Sequence, residues 1–155
     1  YKILPPEVDT SEAAEFIWSQ VPPLHRMPVN SAIGVPATGS DVQRDENGLI
    51  HVCGYALPGY KSGPITSVEV SADEGHTWQE AHLYVGMDNK IDKSSLKWAW
   101  CLWETRVRMG RGTRARVLSR ATDRGGNRQE NARTEWNLRG VGYHGYGEAS
   151  DLNIL

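Results

Sequence analysis

From residue 50 onward the chain is cut into apolar runs too short for ordinary helices. The runs cover 50–57, 65–70, 78–85, 97–109 and 114–122. They are closed by Pro58-Gly59, by Asp73-Glu74-Gly75, by 86–89, by Gly110-Arg111-Gly112-Thr113 and by Asp123-Arg124-Gly125-Gly126-Asn127. Glycine and asparagine supply the backbone angles of tight turns, and proline cannot donate to a ladder, so punctuation of this kind predicts strands. Within 50–57 the alternation sets Ile50, Val52, Gly54 and Ala56 against His51, Cys53, Tyr55 and Leu57. The expected fold is mainly β, an immunoglobulin-like antiparallel β-sandwich. The pattern assigns no strand after residue 122.

The part before residue 37 reads differently. Pro5-Pro6 forces an extended entry, and Asp9 or Thr10 can cap a short helix, with Glu12 placed for a capping box. Val21-Pro22-Pro23 ends that helix, and prolines 22, 23, 28 and 36 make the following segment a stiff arm. Asn30-Ser31-Ala32-Ile33 is a candidate first strand, and 37–48 a polar loop. The expected organisation is an arm and short helix over 1–36 packed on a sandwich over 37–155. Because the chain begins with Tyr1, it is expected to be a fragment of a longer protein or a processed product.

Charge is unevenly placed. Residues 1–104 hold 14 acids against 7 Lys or Arg, whereas 105–155 hold 5 acids against 10 arginines. Overall the balance is −2. That excludes a generally basic nucleic-acid binder and predicts a strand pair whose outer arginines meet nearby acids. No apolar run is long enough to span a membrane as a helix.

Two further patterns concern packing. The run 97–109, taken as a hairpin with 114–122, sets Trp98, Trp100 and Leu102 on one face and Ala99, Cys101, Trp103 and Val107 on the other. One face can enter the core; the other needs cover from the Pro-rich arm, another domain or a second subunit. Cys53 and Cys101 could bridge the sheets or stay as thiols, and no zinc-ligand spacing exists.

Motifs for chemistry are sparse. Gly140-Val141-Gly142-Tyr143-His144-Gly145 matches a dinucleotide fingerprint, but no βαβ unit surrounds it. Ser71 to Trp78 reads as a structural turn built on Asp73 and Gly75. The histidines at 25, 51, 76, 82 and 144 are scattered, and no nucleophile elbow occurs. No catalytic residue and no metal ligand is assigned. One residue stands out: Arg139, in Trp136-Asn137-Leu138-Arg139-Gly140, whose planar fork can hold a small oxyanion through two parallel hydrogen bonds.

Several segments together carry a family resemblance. They are Tyr1-Lys2 with Leu4-Pro5-Pro6, Pro28 to Ile33, Gly54-Tyr55-Ala56, and Val68-Glu69-Val70-Ser71 running into Asp73 to Trp78. They continue with Trp98 to Trp103, Ala121-Thr122-Asp123 with Asn127-Arg128-Gln129, and Trp136 to Val141. In this order they resemble the C-terminal dimerisation domain of sulfite oxidase-type molybdenum enzymes.

The resemblance implies a sandwich following a molybdopterin domain of the same chain, which would hold the molybdenum cofactor, with none in this fragment. It implies a homodimer through this domain, with Trp98, Trp100, Trp103 and Trp136 in dimer or domain packing. It also implies that Arg139 reaches the neighbouring domain's pocket and holds sulfite, which the parent oxidises to sulfate. A nitrate reductase-type parent and a free-standing protein-binding module are the alternatives. Mitochondrial intermembrane space, peroxisome and periplasm are compartments the family allows. After Val141 the sequence departs from the animal and plant enzymes, which suggests a microbial or fungal branch.

Overall fold

The computed structural model describes residues 1–84, 93–130 and 137–155. Among the described residues one α-helix, α1 (Ser11–Ile17), precedes nine strands: β1 (Asn30–Val35), β2 (Asp41–Val42), β3 (Leu49–Leu57), β4 (Ile65–Ser71), β5 (Gln79–Glu80), β6 (His82–Tyr84), β7 (Cys101–Arg108), β8 (Gly112–Asp123) and β9 (Gly147–Ile154). They form a four-stranded sheet, β1-β3-β7-β6, and a five-stranded sheet, β2-β9-β8-β4-β5. Among the described residues every named pair is antiparallel except β2 with β9. The mainly β sandwich expected from the punctuation is what the chain forms.

The core lies between the sheets. Ile50, Val52 and Ala56 of β3, Val68 and Val70 of β4, Trp103 and Val107 of β7, and Val117 and Ala121 of β8 fill it with Ala149, Leu152 and Ile154 of β9. Trp103 is the largest of these, 1% exposed. Gly54 is required beside it: a Cβ there would sit 1.9 Å from the Ala32 carbonyl oxygen and 2.8 Å from the Trp103 ring. Real Cβ atoms do not approach so closely, so β1 and the indole meet over a bare backbone.

Three sequence expectations give way. First, β7 begins at Cys101; Lys93–Trp98 is a kinked 3₁₀ segment, so Trp98 and Trp100 precede the strand. Second, 98–108 and 114–122 are not a hairpin. β7 pairs with β3 and β6, whereas β8 pairs with β4 and β9, so Gly110-Arg111-Gly112 carries the chain from one sheet to the other. Third, the single run 78–85 is divided at buried Ala81, with β5 in one sheet and β6 in the other. Two strands, β2 and β9, stand where none was expected.

The helix forms as predicted, and Thr10 is its cap, with its hydroxyl accepting from the Ala13 N–H at 3.2 Å. None of the helix residues is buried. The arm is held at other points: Leu4 and Val8 are buried, and the Leu24 N–H donates to the Tyr1 carbonyl at 2.7 Å. Its inner end is tied by a buried polar cluster. The Ser31 hydroxyl lies 2.9 Å from the Ser119 hydroxyl and donates to the Gln129 Oε1 at 2.7 Å. That oxygen also accepts from the Ala121 N–H, and the Gln129 amide donates to the Gly145 carbonyl. Each of these polar groups is satisfied inside the protein.

Candidate functional site

Arg139 sits on a turn built by Asn137. The Asn137 side chain is nearly buried; its Oδ1 accepts from the Val141 N–H at 3.2 Å and its Nδ2 donates to the Val141 carbonyl at 3.0 Å. The Gly140 N–H closes the turn onto the Asn137 carbonyl at 3.0 Å. Gly140 adopts φ +61°, a region glycine enters without the cost a side chain would meet. A side-chain amide that braces its own loop in this way fixes the residues it spans.

The loop therefore pushes Leu138 and Arg139 outward. Arg139 is exposed, and its guanidinium carbon lies 5.2 Å from the centre of the Trp18 ring, just past the end of α1. Among the described residues it has no acidic partner. Leu4, Ala14, Glu15, Trp18 and Leu138 line the same open concavity, of about 680 Å³. A charged fork beside an indole and an open hollow can receive an anion from outside the chain. The Trp18 contact joins segments that no local pattern links.

Four other arginines are paired with acids. Arg120 meets Glu69 with two bonds of 3.0 Å, and Arg128 meets the same carboxylate at 2.6 Å. The Arg120 guanidinium beside Glu69 holds its carboxyl below the usual range. Arg116 reaches Glu74 and Glu148, and Arg106 reaches Asp45. The arginine-rich half thus pairs with acids in part, as expected, while Arg108, Arg111, Arg114 and Arg124 have no acidic partner among the described residues.

The tryptophans divide. Trp103 is enclosed between the sheets, and its Nε1 finds no partner among the described residues. Trp98 and Trp100 are 55% and 64% exposed, and Leu102 is 61% exposed. Trp100 stacks on Tyr55 at 4.8 Å between centroids and Trp98 meets Tyr60 edge-on at 5.2 Å. The Pro-rich arm leaves this face open. Register places Tyr55, Leu102 and Tyr84 in one row across β3, β7 and β6. In the next row Glu104 accepts from the Tyr84 hydroxyl and bonds His51 at 3.0 Å; the first of these contacts leads in lowering its carboxyl. Trp136 lies outside the described residues.

No group of three metal-ligating side chains occurs among the described residues. Cys53 and Cys101 are free, both in the four-stranded sheet, and burial pushes both thiols up. The Gly140 to Gly145 fingerprint forms turns with no helix; a Cβ on Gly142 would lie 2.8 Å from Ile3, so that glycine serves the arm. No helix is long and apolar enough to cross a membrane among the described residues.

The family model for the Mo-co oxidoreductase dimerisation domain matches residues 22–146. The chain belongs to that family. Members of the wider family bear it out at the sequence level. The dimerisation-domain chain is 36% identical to sulfite oxidase of Arabidopsis thaliana over 145 residues, covering 91% of this chain and 35% of the plant protein. It is 35% identical to mitochondrial sulfite oxidase of Homo sapiens, covering 91% and 24%. It is also 33% identical to nitrate reductase [NADH] 1 of Oryza sativa, covering 90% and 16%. The chain thus spans about a third or less of the length of these relatives. Among solved structures, the sulfane dehydrogenase SoxCD of Paracoccus pantotrophus superposes with a TM-score of 0.55 at 22% identity, over 83% of this chain and 33% of that one. At that identity the likeness speaks for the fold alone.

Proposed function

We propose that this dimerisation domain belongs to a sulfite-oxidising molybdenum enzyme and lends Arg139 to the substrate site of an adjacent molybdopterin domain. The observation that carries the reading is the presentation of Arg139: a charged fork on a braced turn, exposed, with no acid on it among the described residues. Sulfite oxidation adds one oxygen from water and releases two electrons and two protons. That chemistry belongs to the molybdenum cofactor of the parent. Arg139 would bind and orient the anion.

The same reading gives the uncovered face of the four-stranded sheet to a second copy, through Trp100 and Leu102. Exposed apolar faces of this kind mark contact surfaces. Sedimentation of the parent beside a Trp100→Glu, Leu102→Glu variant tests it: the variant should run as a monomer, and an unchanged dimer would place the contact elsewhere.

Sulfite-dependent reduction of an artificial acceptor by the full-length parent, beside Arg139→Met, tests the site. A raised KM for sulfite is expected, and an unchanged KM would refute the role. The identity to a nitrate reductase favours a second reading, in which nitrate is the anion. Wild-type parent inactive with sulfite but reducing nitrate would establish that reading instead.

A further inference from the structure

On the side of the sandwich where the arm meets the loops 57–62 and 140–144, two concavities share one wall. Met27, Pro28, Tyr60 and Gly142 belong to both. One, of about 340 Å³, is lined by Arg26, Asn127 and His144. The other, of about 510 Å³, is lined by Trp98, Tyr143 and His25. Together they make a polar chamber joined to an aromatic one.

The polar chamber is short of negative charge. The Arg26 guanidinium carbon lies 5.5 Å from the Tyr60 ring centre, and the Lys61 ammonium lies 4.9 Å from the same ring. Neither cation has an acidic partner among the described residues. His144 lines the same chamber, its Nδ1 buried with no hydrogen-bond partner among the described residues. The carboxylate at this wall, Asp123, is already engaged. It accepts from the Gly59 N–H at 2.9 Å and from the Asn127 backbone and side chain at 2.9 to 3.1 Å. The aromatic chamber adds Trp98, which presents more than half its surface, and Tyr143, whose hydroxyl burial pushes up.

We propose that this double concavity binds a small organic carboxylate with an aromatic body. The carboxylate meets the Arg26 guanidinium, and the ring packs on Tyr60, Trp98 and Tyr143. Both halves of the ligand follow from the lining. A bare inorganic anion would leave the aromatic chamber empty, and a neutral aromatic would leave Arg26 unmet. The volumes fall in the range of small-molecule sites. Gly140 and Gly142 line it too, so the ligand would press on the loop that carries Arg139 from behind. The site is separate from the oxyanion reading, since Arg139 lines a different hollow.

Saturation-transfer NMR of the full-length parent with phenylacetate tests the proposal, with acetate and benzylamine as controls. Saturable transfer to the phenylacetate ring is expected, with Kd on the order of a millimolar for so small a ligand. Arg26→Gln should weaken it about tenfold. Trp98→Ala should weaken it a few-fold, and both controls should stay silent. Arg139→Met should leave phenylacetate binding unchanged. No saturable transfer, equal transfer to benzylamine, or full binding in Arg26→Gln would overturn the proposal. Loss of binding in Arg139→Met would move the ligand to the oxyanion site and overturn it too. Persistence of phenylacetate binding beside an unchanged sulfite KM in Arg139→Met would fail the oxyanion reading alone.

Discussion

Among the described residues two arginines lie against tryptophans, and they are held in opposite ways. Arg120 projects from β8 with its guanidinium 3.8 Å from the Trp78 ring centre, and Glu69 of β4 clamps it with two bonds. Trp78 is itself held, its Nε1 donating to the Gly75 carbonyl at 3.0 Å and its ring meeting Tyr146. Every donor of consequence there is answered within the chain. Arg139 has the tryptophan, at 5.2 Å, without a carboxylate among the described residues. Its turn is as firmly built as the one at Asp73, with an amide in place of a carboxylate. The difference is between an arginine that closes a sheet and one kept open. A neutralised guanidinium rigidifies, whereas an unanswered one on a rigid support is available to a visiting anion.

On the proposed reading, the largest effect expected from this contrast is on capture of sulfite. Arg139→Met in the parent should lower kcat/KM for sulfite about a hundredfold, through KM, the loss of a charge-assisted bidentate contact. Its urea midpoint should not move. Arg120→Met should do the reverse, costing about 2 kcal/mol of stability, because Glu69 is left half-buried with Arg128 as its remaining partner, while the sulfite KM stays put. If Arg120→Met raised KM as much as Arg139→Met, the contrast would collapse.

Smaller effects sharpen it. Asn137→Ala removes the brace but keeps the guanidinium, so KM should rise about fivefold with a loss of about 1 kcal/mol in the melting curve. The smallest belongs to acid. The Thr77 hydroxyl and N–H, with Ser71, hold the Asp73 carboxyl down from 3.8 to about 2. A carboxyl lowered on folding adds stability that is complete above its ordinary value and is lost as pH falls through the folded one. Urea midpoints should therefore decline for the wild type between about pH 4 and 2, and Asp73→Asn should flatten that stretch of the curve. A decline as steep in the variant would assign the acid sensitivity to another carboxylate.

Much of this was readable in the sequence because it is local. Turn residues mark the ends of β3, β4 and β8, Thr10 caps α1, and Asp73 brackets its own turn. Sheet membership is not local. Gly110-Arg111-Gly112 would look the same whether the chain folded back beside β7 or crossed to β4 and β9, and it crosses. Strand β9 hides for another reason. Gly147, Ala149, Leu152 and Ile154 face inward, but Asp151 takes φ +54° and the inward period slips by one residue. In the site, Arg139 was visible through its motif. Trp18, Arg26 and His144 were not, because long-range packing brings each to its neighbours and no spacing foretells it.

The cluster of Ser31, Ser119 and Gln129 bears on how the domain could be cut. Strand β1 lies in the first 36 residues, yet it pairs with β3 and its serine completes the bonding of β8 and of the segment before β9. A chain begun at residue 37 would lose an edge of one sheet and leave Ser119 and part of Gln129 unmet inside the other. What looks in the sequence like a strap laid over a finished body is a keystone set from outside. An engineer grafting this sandwich onto a new carrier would have to place the seam upstream of residue 29, because from Val29 inward strap and body share one interior.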